Sequence, residues 1–328
     1  GWIVAWDATV TGDAEDLQRN GLDSGGAASF TASFEVTEVN TPVPKAVLEG
    51  NTPMPPAGSI VAFTSDRVGG TLDIFLTRSD GSVLQLTDHP NGDELPAISS
   101  DGSTVVFTSR RSGNESLYLI DSDGTDLRRL TGPISDGGDS WAQWSPDDNE
   151  IVFASDRGSG VGNDNLWIIG ADGADLRQLL DLEQSAIWPS WSPDGMSIAF
   201  VSIADEDSQG FEVYVVGADG MNLRRVTSNA TGRGYGRPQW FPDGRRLLAT
   251  TETSDGTGTI VVIDIQTGEQ LFSTPGSLGT VVPDTEIILY TNSVGDIESL
   301  DMITGDRHPI TLHGSIDLAP SVATPQQR

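Results

Sequence analysis

"PSWSPDGMSIAF" (189–200) decides the fold, because pieces of it recur along the chain. It holds a leading Pro, a Trp, a Pro-Asp-Gly turn and an apolar run. Pro at the second turn position presets φ, and Asp and Gly tolerate the bend that follows. Aligned on that turn, the other copies are "PAISSDGSTVVF" (96–107), "AQWSPDDNEIVF" (142–153), "PQWFPDGRRLLA" (238–249) and "GTVVPDTEIILY" (279–290). The turns begin at Ser100, Pro146, Pro193, Pro242 and Pro283, at spacings of 46, 47, 49 and 41 residues. A period of this size signals a repeat architecture with one supersecondary unit per repeat.

Each unit reads as four short strands. In one, "AQWS" is a strand, "PDDN" a turn, "EIVFAS" a strand and "DRGSGVGNDN" a Gly-rich loop. "LWIIG", the turn "ADGAD" and "LRQLL" complete it. The second turn recurs as "SDGS", "SDGT", "ADGA", "ADGM", "QTGE" and "ITGD", and Asp-Gly flanked by apolar runs is a strong hairpin signal. Runs such as "IVFAS" are apolar on both faces, as strands buried between neighbouring sheets are. The first unit starts at "SIVAFTSDR" (59–67) without a leading strand, and "LAPSVAT" (318–324) reads as a leading strand with nothing after it. Joining the two gives an all-β, six-bladed β-propeller over 59–324, closed by the C-terminal strand with few exposed edges. Residues 325–328 are a tail.

"FTSDRVGGTLDIFLTRSDGSVLQLT" and "PSWSPDGMSIAFVS" resemble the repeats of the TolB-type propeller, to which the dipeptidyl-peptidase-type propeller is related. Blades five and six depart from the pattern. "IDIQTGEQ" and "LDMITGDR" replace the Asp-Gly turn, and Val281 and Val322 stand where other blades carry Trp. The resemblance implies an extracytoplasmic bacterial protein, periplasmic or at the cell surface, that binds partners and catalyses nothing.

Composition narrows the partners. Lys+Arg is 18 against Asp+Glu 48, a net charge of −30, and Lys45 is the single lysine. Such acidity opposes nucleic acid and anionic lipid and suits a solvated surface or cations. The absence of cysteine excludes disulfides, thiolate catalysis and Cys-based zinc sites. No stretch reaches the ~20 apolar residues of a membrane span. The first residue, Gly1, implies a processed, truncated or recombinant chain. "GWIVAW" (1–6) reads either as the outer end of a membrane tether, with Trp2 and Trp6 as interface aromatics, or as an ordinary first strand. Residues 1–58 form an N-terminal extension. "ASFTASFEVTEV" alternates as a half-buried strand, and "NTPVPKAVLEGNTPMPPAGS" (40–59) is a Pro-rich linker. That strand packs on the propeller or pairs with a neighbouring molecule.

The turns within hairpins are short and uniform and share one face. The loops of the opposite face vary: "TDHPNGDEL", "GPISDGGDSW", "DLEQSAIW", "SNATGRGYGR". Variable loops on a rigid frame are where binding resides. The residue just before each leading strand sits at the mouth of the central channel: Leu95, Trp141, Trp188, Arg237, Leu278 and Ala319. Trp141, Trp188 and Arg237, with Tyr235 nearby, are binding hot-spot types, framed by the acidic Asp93, Glu94, Asp136, Asp139 and Glu183. For Trp141 and Trp188, packing between blades is the equal alternative, and it is the expected role of Trp144, Trp191 and Trp240. Two positions on, Ala97, Gln143, Ser190, Gln239, Thr280 and Ser321 line the channel or pack beside a blade.

Asp121, Asp123 and Asp126 in "DSDGTD" resemble the start of a calcium loop, but they lack a distal Glu and coincide with a turn that uses Asp for its own conformation. His89, His308 and His313 show no reason to converge on a metal. No cofactor is otherwise implied. Nucleophile elbow, zinc-protease motif and phosphate loop are absent, and "GRGYGR" (232–237) reads as a local protein-contact patch. The "SDR" copies, Asp66–Arg67 and Asp156–Arg157, are expected to form ion pairs or cap loops within their blades. The leading expectation is a non-enzymatic propeller that holds a protein or peptide partner of the cell envelope on the variable-loop face. A structural array assembled through residues 1–58 is the alternative, and a propeller lyase acting on acidic sugars is a third class that the charge opposes.

Overall fold

The structure is a computed structural model that describes residues 55–132, 137–158, 162–203, 210–228, 234–252, 258–311 and 317–325. The chain divides into two units, Gly1–Val39 and Asn40–Arg328. Every described residue belongs to the second. The readings of "GWIVAW", of the "ASFTASFEVTEV" strand and of all but the end of the Pro-rich linker therefore lie outside the described residues.

The described residues form six four-stranded antiparallel sheets, each one blade. Blade I is β24 (Asp317–Ala323), β1 (Ile60–Ser65), β2 (Asp73–Arg78) and β3 (Val83–Gln85). Blade II is β4 (Asp93–Ile98), β5 (Thr104–Ser109), β6 (Ser116–Asp121) and β7 (Arg128–Arg129). Blade III is β8 (Asp139–Trp144), β9 (Glu150–Ser155), β10 (Asn165–Gly170) and β11 (Arg177–Gln178). Blade IV is β12 (Ala186–Trp191), β13 (Ser197–Ile203), β14 (Phe211–Gly217) and β15 (Arg224–Arg225). Blade V is β16 (Tyr235–Trp240), β17 (Arg246–Glu252), β18 (Gly258–Asp264) and β19 (Gln270–Pro275). Blade VI is β20 (Ser277–Val281), β21 (Ile287–Thr291), β22 (Ile297–Asp301) and β23 (Arg307–Pro309). The expected closure is present: β24 pairs with β1, from Ile60 opposite Ala323 to Ser65 opposite Asp317.

Second and third strands are almost wholly buried, as in "TVVFTS" of β5 and "SLYLID" of β6. That burial accounts for runs that are apolar on both faces, since each blade is covered by its two neighbours. Two of the repeated Trp staple blade to blade. Trp144 Nε1 donates to the Ala97 carbonyl at 3.0 Å, and Trp240 Nε1 donates to the Ser190 carbonyl at 3.1 Å. Trp191, the third expected packing residue, is buried at the equivalent place.

The opening stretch now has its local physics. In "SPDGMS", the Ser192 hydroxyl donates to Asp194 Oδ1 at 2.6 Å and accepts from the Ser197 N–H at 2.9 Å, while Asp194 also accepts from the Met196 N–H. Gly195 takes φ +70°, a left-handed conformation that favours glycine. Ser145 with Asp147, and Ser99 with Asp101, repeat the circuit. The hydroxyls of Ser145 and Ser192, the largest cause in each case, hold the Asp147 and Asp194 carboxyls below the usual range. In blades V and VI the second turn is one residue longer, with Gly268 N–H donating to the Asp264 carbonyl and Gly305 N–H to the Asp301 carbonyl. Asp264 and Asp301 then cap the turn from upstream. The missing Asp-Gly is a relocated cap.

Candidate functional site at the channel mouth

The six residues expected just before the leading strands stand inside them. Leu95, Trp141, Trp188, Arg237, Leu278 and Ala319 each sit at a β-bulge, with φ between 49 and 58°. In blade III, Ser140 faces Ala154 and Gln143 faces Val152, so Trp141 and Ala142 together oppose Phe153 alone. The other five leading strands carry the same shift. An extra residue takes the backbone out of the ladder and bends the strand, which is why Pro96, Pro189, Pro238 and Pro320 are tolerated immediately after. A left-handed non-glycine residue costs about 1–2 kcal/mol. The strain is common to all six blades, so it belongs to the architecture. What differs around the ring is the side chain that each bulge presents.

Together the bulges line an open cavity on the propeller axis. Leu95, Trp141, Trp188, Arg237 and Ala319 line it, and from the expected second ring so do Gln143, Gln239, Thr280 and Ser321. Ser190 and Ala97 are buried away from it and offer their carbonyls to the Trp staples. Trp141 and Trp188 meet edge to face, ring centroids 5.8 Å apart at 74°, and Trp188 leans on Phe211 at 6.0 Å. Both Trp are half-buried, packed on the core of blades III to V on one side and open to the cavity on the other. The packing expected of these rings is present on one edge, while the other edge faces the cavity. A Cβ on Gly236 would lie 2.9 Å from Trp188, so the bare Cα there lets the indole seat against β16.

Among the described residues, Arg237 is the only charged residue lining the cavity. Among the described residues no carboxylate or hydrogen-bond acceptor pairs with it, and burial of the guanidinium lowers its pKa to about 10. Tyr235 opens β16 half-buried against the core and outside the cavity lining. Burial, then Glu212, pushes its hydroxyl pKa upward.

The acidic frame is largely inside the protein. Asp139, expected among the contact residues, is fully buried and bound to Arg157, so it cannot reach a partner. Asp93 is equally buried, paired with Arg111 at 2.7 Å. Asp317 pairs with Arg67 at 2.7 Å, completing a repeated station in blades I to III. In each, the Ser two residues before the Arg accepts from Nε, and the guanidinium lies over two aromatic rings, such as Phe63 and Phe75 around Arg67. The "SDR" arginines thus do form ion pairs within their blades, but with the Asp that opens the leading strand, not with the neighbouring Asp. Asp156 instead accepts from the Gly138 and Gly162 N–H groups. Glu94 approaches Arg110 at 3.5 Å, Glu183 is exposed, and Asp136 lies outside the described residues.

Of the three candidates, Asp123 does the work of its turn, and Asp121 accepts from the Thr104 hydroxyl at 3.5 Å. Asp123 Oδ1 accepts from the Thr125 N–H and hydroxyl, and Asp126 approaches Arg128. Among the described residues no three His, Asp or Glu side chains group as metal ligands. His89 lies in the blade I–II loop, where its Nδ1 accepts from the Asn91 N–H, His308 lies in β23, and His313 is outside the description.

With this geometry in place the relatives can be compared. A family model described as the TolB beta propeller domain matches residues 142–312. The chain belongs to the TolB beta-propeller family. Its similarity to the Tol-Pal system protein TolB of Zymomonas mobilis is 33% identity over 82 residues, 24% of this chain and 18% of that protein's length. The crystal structure of TolB from Acinetobacter baumannii superposes with a TM-score of 0.67 at 16% identity, covering 82% of this chain and 68% of that one. An oligogalacturonate lyase in complex with manganese superposes at 0.58 with 19% identity, over 78% and 74%. Both structural likenesses are of fold.

Proposed function

We propose that this chain is a non-catalytic, extracytoplasmic bacterial propeller that holds a protein or peptide partner at its channel mouth. Trp141 and Trp188 are the anchors, Arg237 the polar contact, and Leu95, Gln143 and Gln239 the surrounding wall. Family membership supports the setting, and one observation carries the site: the bulge ring spends its two largest aromatics and its only cation on one cavity. Rigid aromatics with a desolvated Arg are what interface hot spots are made of. Among the described residues the cavity lining holds no His, Asp or Glu, the side chains that most often serve as general acid or base. Accordingly, no unsaturated product should accumulate when the chain is incubated with oligogalacturonate.

A photo-reactive amino acid placed in the full-length chain tests the face. At Gln239 it should capture a protein adduct in the native envelope, and at Met196, in the turn after β12 at the far end of the leading strands, it should not. Adducts from Met196 alone would refute this assignment. Adducts consisting solely of the chain's own copies would favour a self-assembled array.

A further inference from the structure

The cavity chemistry names more than a generic partner. Among the described residues its wall is neutral apart from Arg237, and no carboxylate lines it although the chain carries 48 acidic residues. The acids that open three of the leading strands are already paired: Asp93, Asp139 and Asp317 each hold an arginine of their own blade. At the mouth, Arg237 is presented without a partner among the described residues, on a backbone that the bulge holds at φ 49°. Its strand is set against Trp188 through the bare Cα of Gly236. A guanidinium is a planar fork that matches a carboxylate with two parallel hydrogen bonds. Partial removal of a guanidinium from water without a protein acceptor is unfavourable, and a ligand that supplies the acceptor relieves it.

We propose that Arg237 receives a single carboxylate of a bound peptide, with the peptide's adjacent apolar group lying against Trp141 and Trp188. The inference rests on the peptide-binding reading of the mouth. Arg237 is half-buried on the wall of the open cavity, and its partial burial lowers its basicity, so a carboxylate entering the cavity meets a guanidinium that has already lost part of its water. The overall charge of −30 selects against polyanions, which favours one carboxylate on an otherwise neutral or basic chain.

The carboxylate could be a C-terminus or an Asp or Glu side chain, and three pools of random hexapeptides on the full-length protein distinguish them. One pool lacks Asp and Glu and has a free C-terminus. A second contains Asp and Glu but is amidated. The third lacks both kinds of carboxylate. The wild type should retain one of the first two at least ~10-fold over the third, the ratio of one charge-assisted hydrogen-bond pair. Arg237→Gln should abolish that preference while melting no lower than wild type, and Arg237→Lys should restore part of it. Equal retention of all pools overturns the carboxylate proposal while leaving peptide binding intact. Retention of none overturns both, and an undiminished preference in Arg237→Gln removes Arg237 from the role.

Discussion

At the residue scale, the same side-chain types have opposite fates according to what surrounds them. Arg111 is buried, stacked near Phe107 and Tyr118 and tied to the fully buried Asp93. Arg177 reaches Glu150 on the surface at a similar 2.7 Å. Breaking a buried pair leaves an uncompensated charge and costs about 3–5 kcal/mol, whereas an exposed pair is worth under about 1 kcal/mol. Arg111→Ala should therefore lower stability by about 3 kcal/mol or more in urea unfolding, and Arg177→Ala by less than about 1 kcal/mol. Equal losses would show that the stations in blades I to III are decorative. Arg237 belongs to neither class, which is why its removal should not destabilise the fold.

At the element scale, the leading strand carries both closure and site. The turn circuit of the opening stretch holds its outer end, and the bulge aims one residue at the axis. Ser192→Ala should remove the hydroxyl shared by Asp194 and the Ser197 N–H, costing about 1 kcal/mol. Gly236→Ala should leave the sheet register intact but drive its Cβ into Trp188. A changed near-ultraviolet signal of the Trp pair with unchanged far-ultraviolet spectrum is the expected result. An identical near-ultraviolet signal would mean that the indole is not seated there. Much of this was legible in the repeat: the strand order, the paired turns and the ring of six mouth positions follow from spacing and turn chemistry. The bulges were not, because one extra residue leaves the apolar pattern nearly unchanged. Their trace is the recurring Pro after Leu95, Trp188, Arg237 and Ala319. The fate of Asp139 was also hidden, since its partner Arg157 lies 18 residues away. Nothing local separates a buried paired Asp from a solvated one.

At the scale of the whole molecule, closure and charge set stability. A chain ending at Thr311 would lack β24, exposing the β1 edge and leaving Arg67 without Asp317. It should lose its cooperative melt and scatter light as aggregates. Acid should have two phases. Burial, the largest cause, raises Asp73 and Asp164 to about 6, with nearby Asp93 and Asp156 respectively adding to it. Between 3.8 and 6 the folded state holds more protons at these sites, so stability falls as pH rises through that window. Asp147 and Asp194, with lowered values, contribute the opposite slope and lose their stabilisation as pH falls below the usual carboxylate range. The melting temperature should rise as pH falls from about 6 towards about 4, and then drop. Asp73→Asn should flatten the first phase.

The central claim is that the channel mouth is where a partner is held. The most direct test is capture from the native envelope by the full-length chain and by its Trp141→Ala, Trp188→Ala double variant side by side. A partner captured by the wild type and lost by a variant that still melts cooperatively is the predicted result. The same partner in the same yield from both would contradict it.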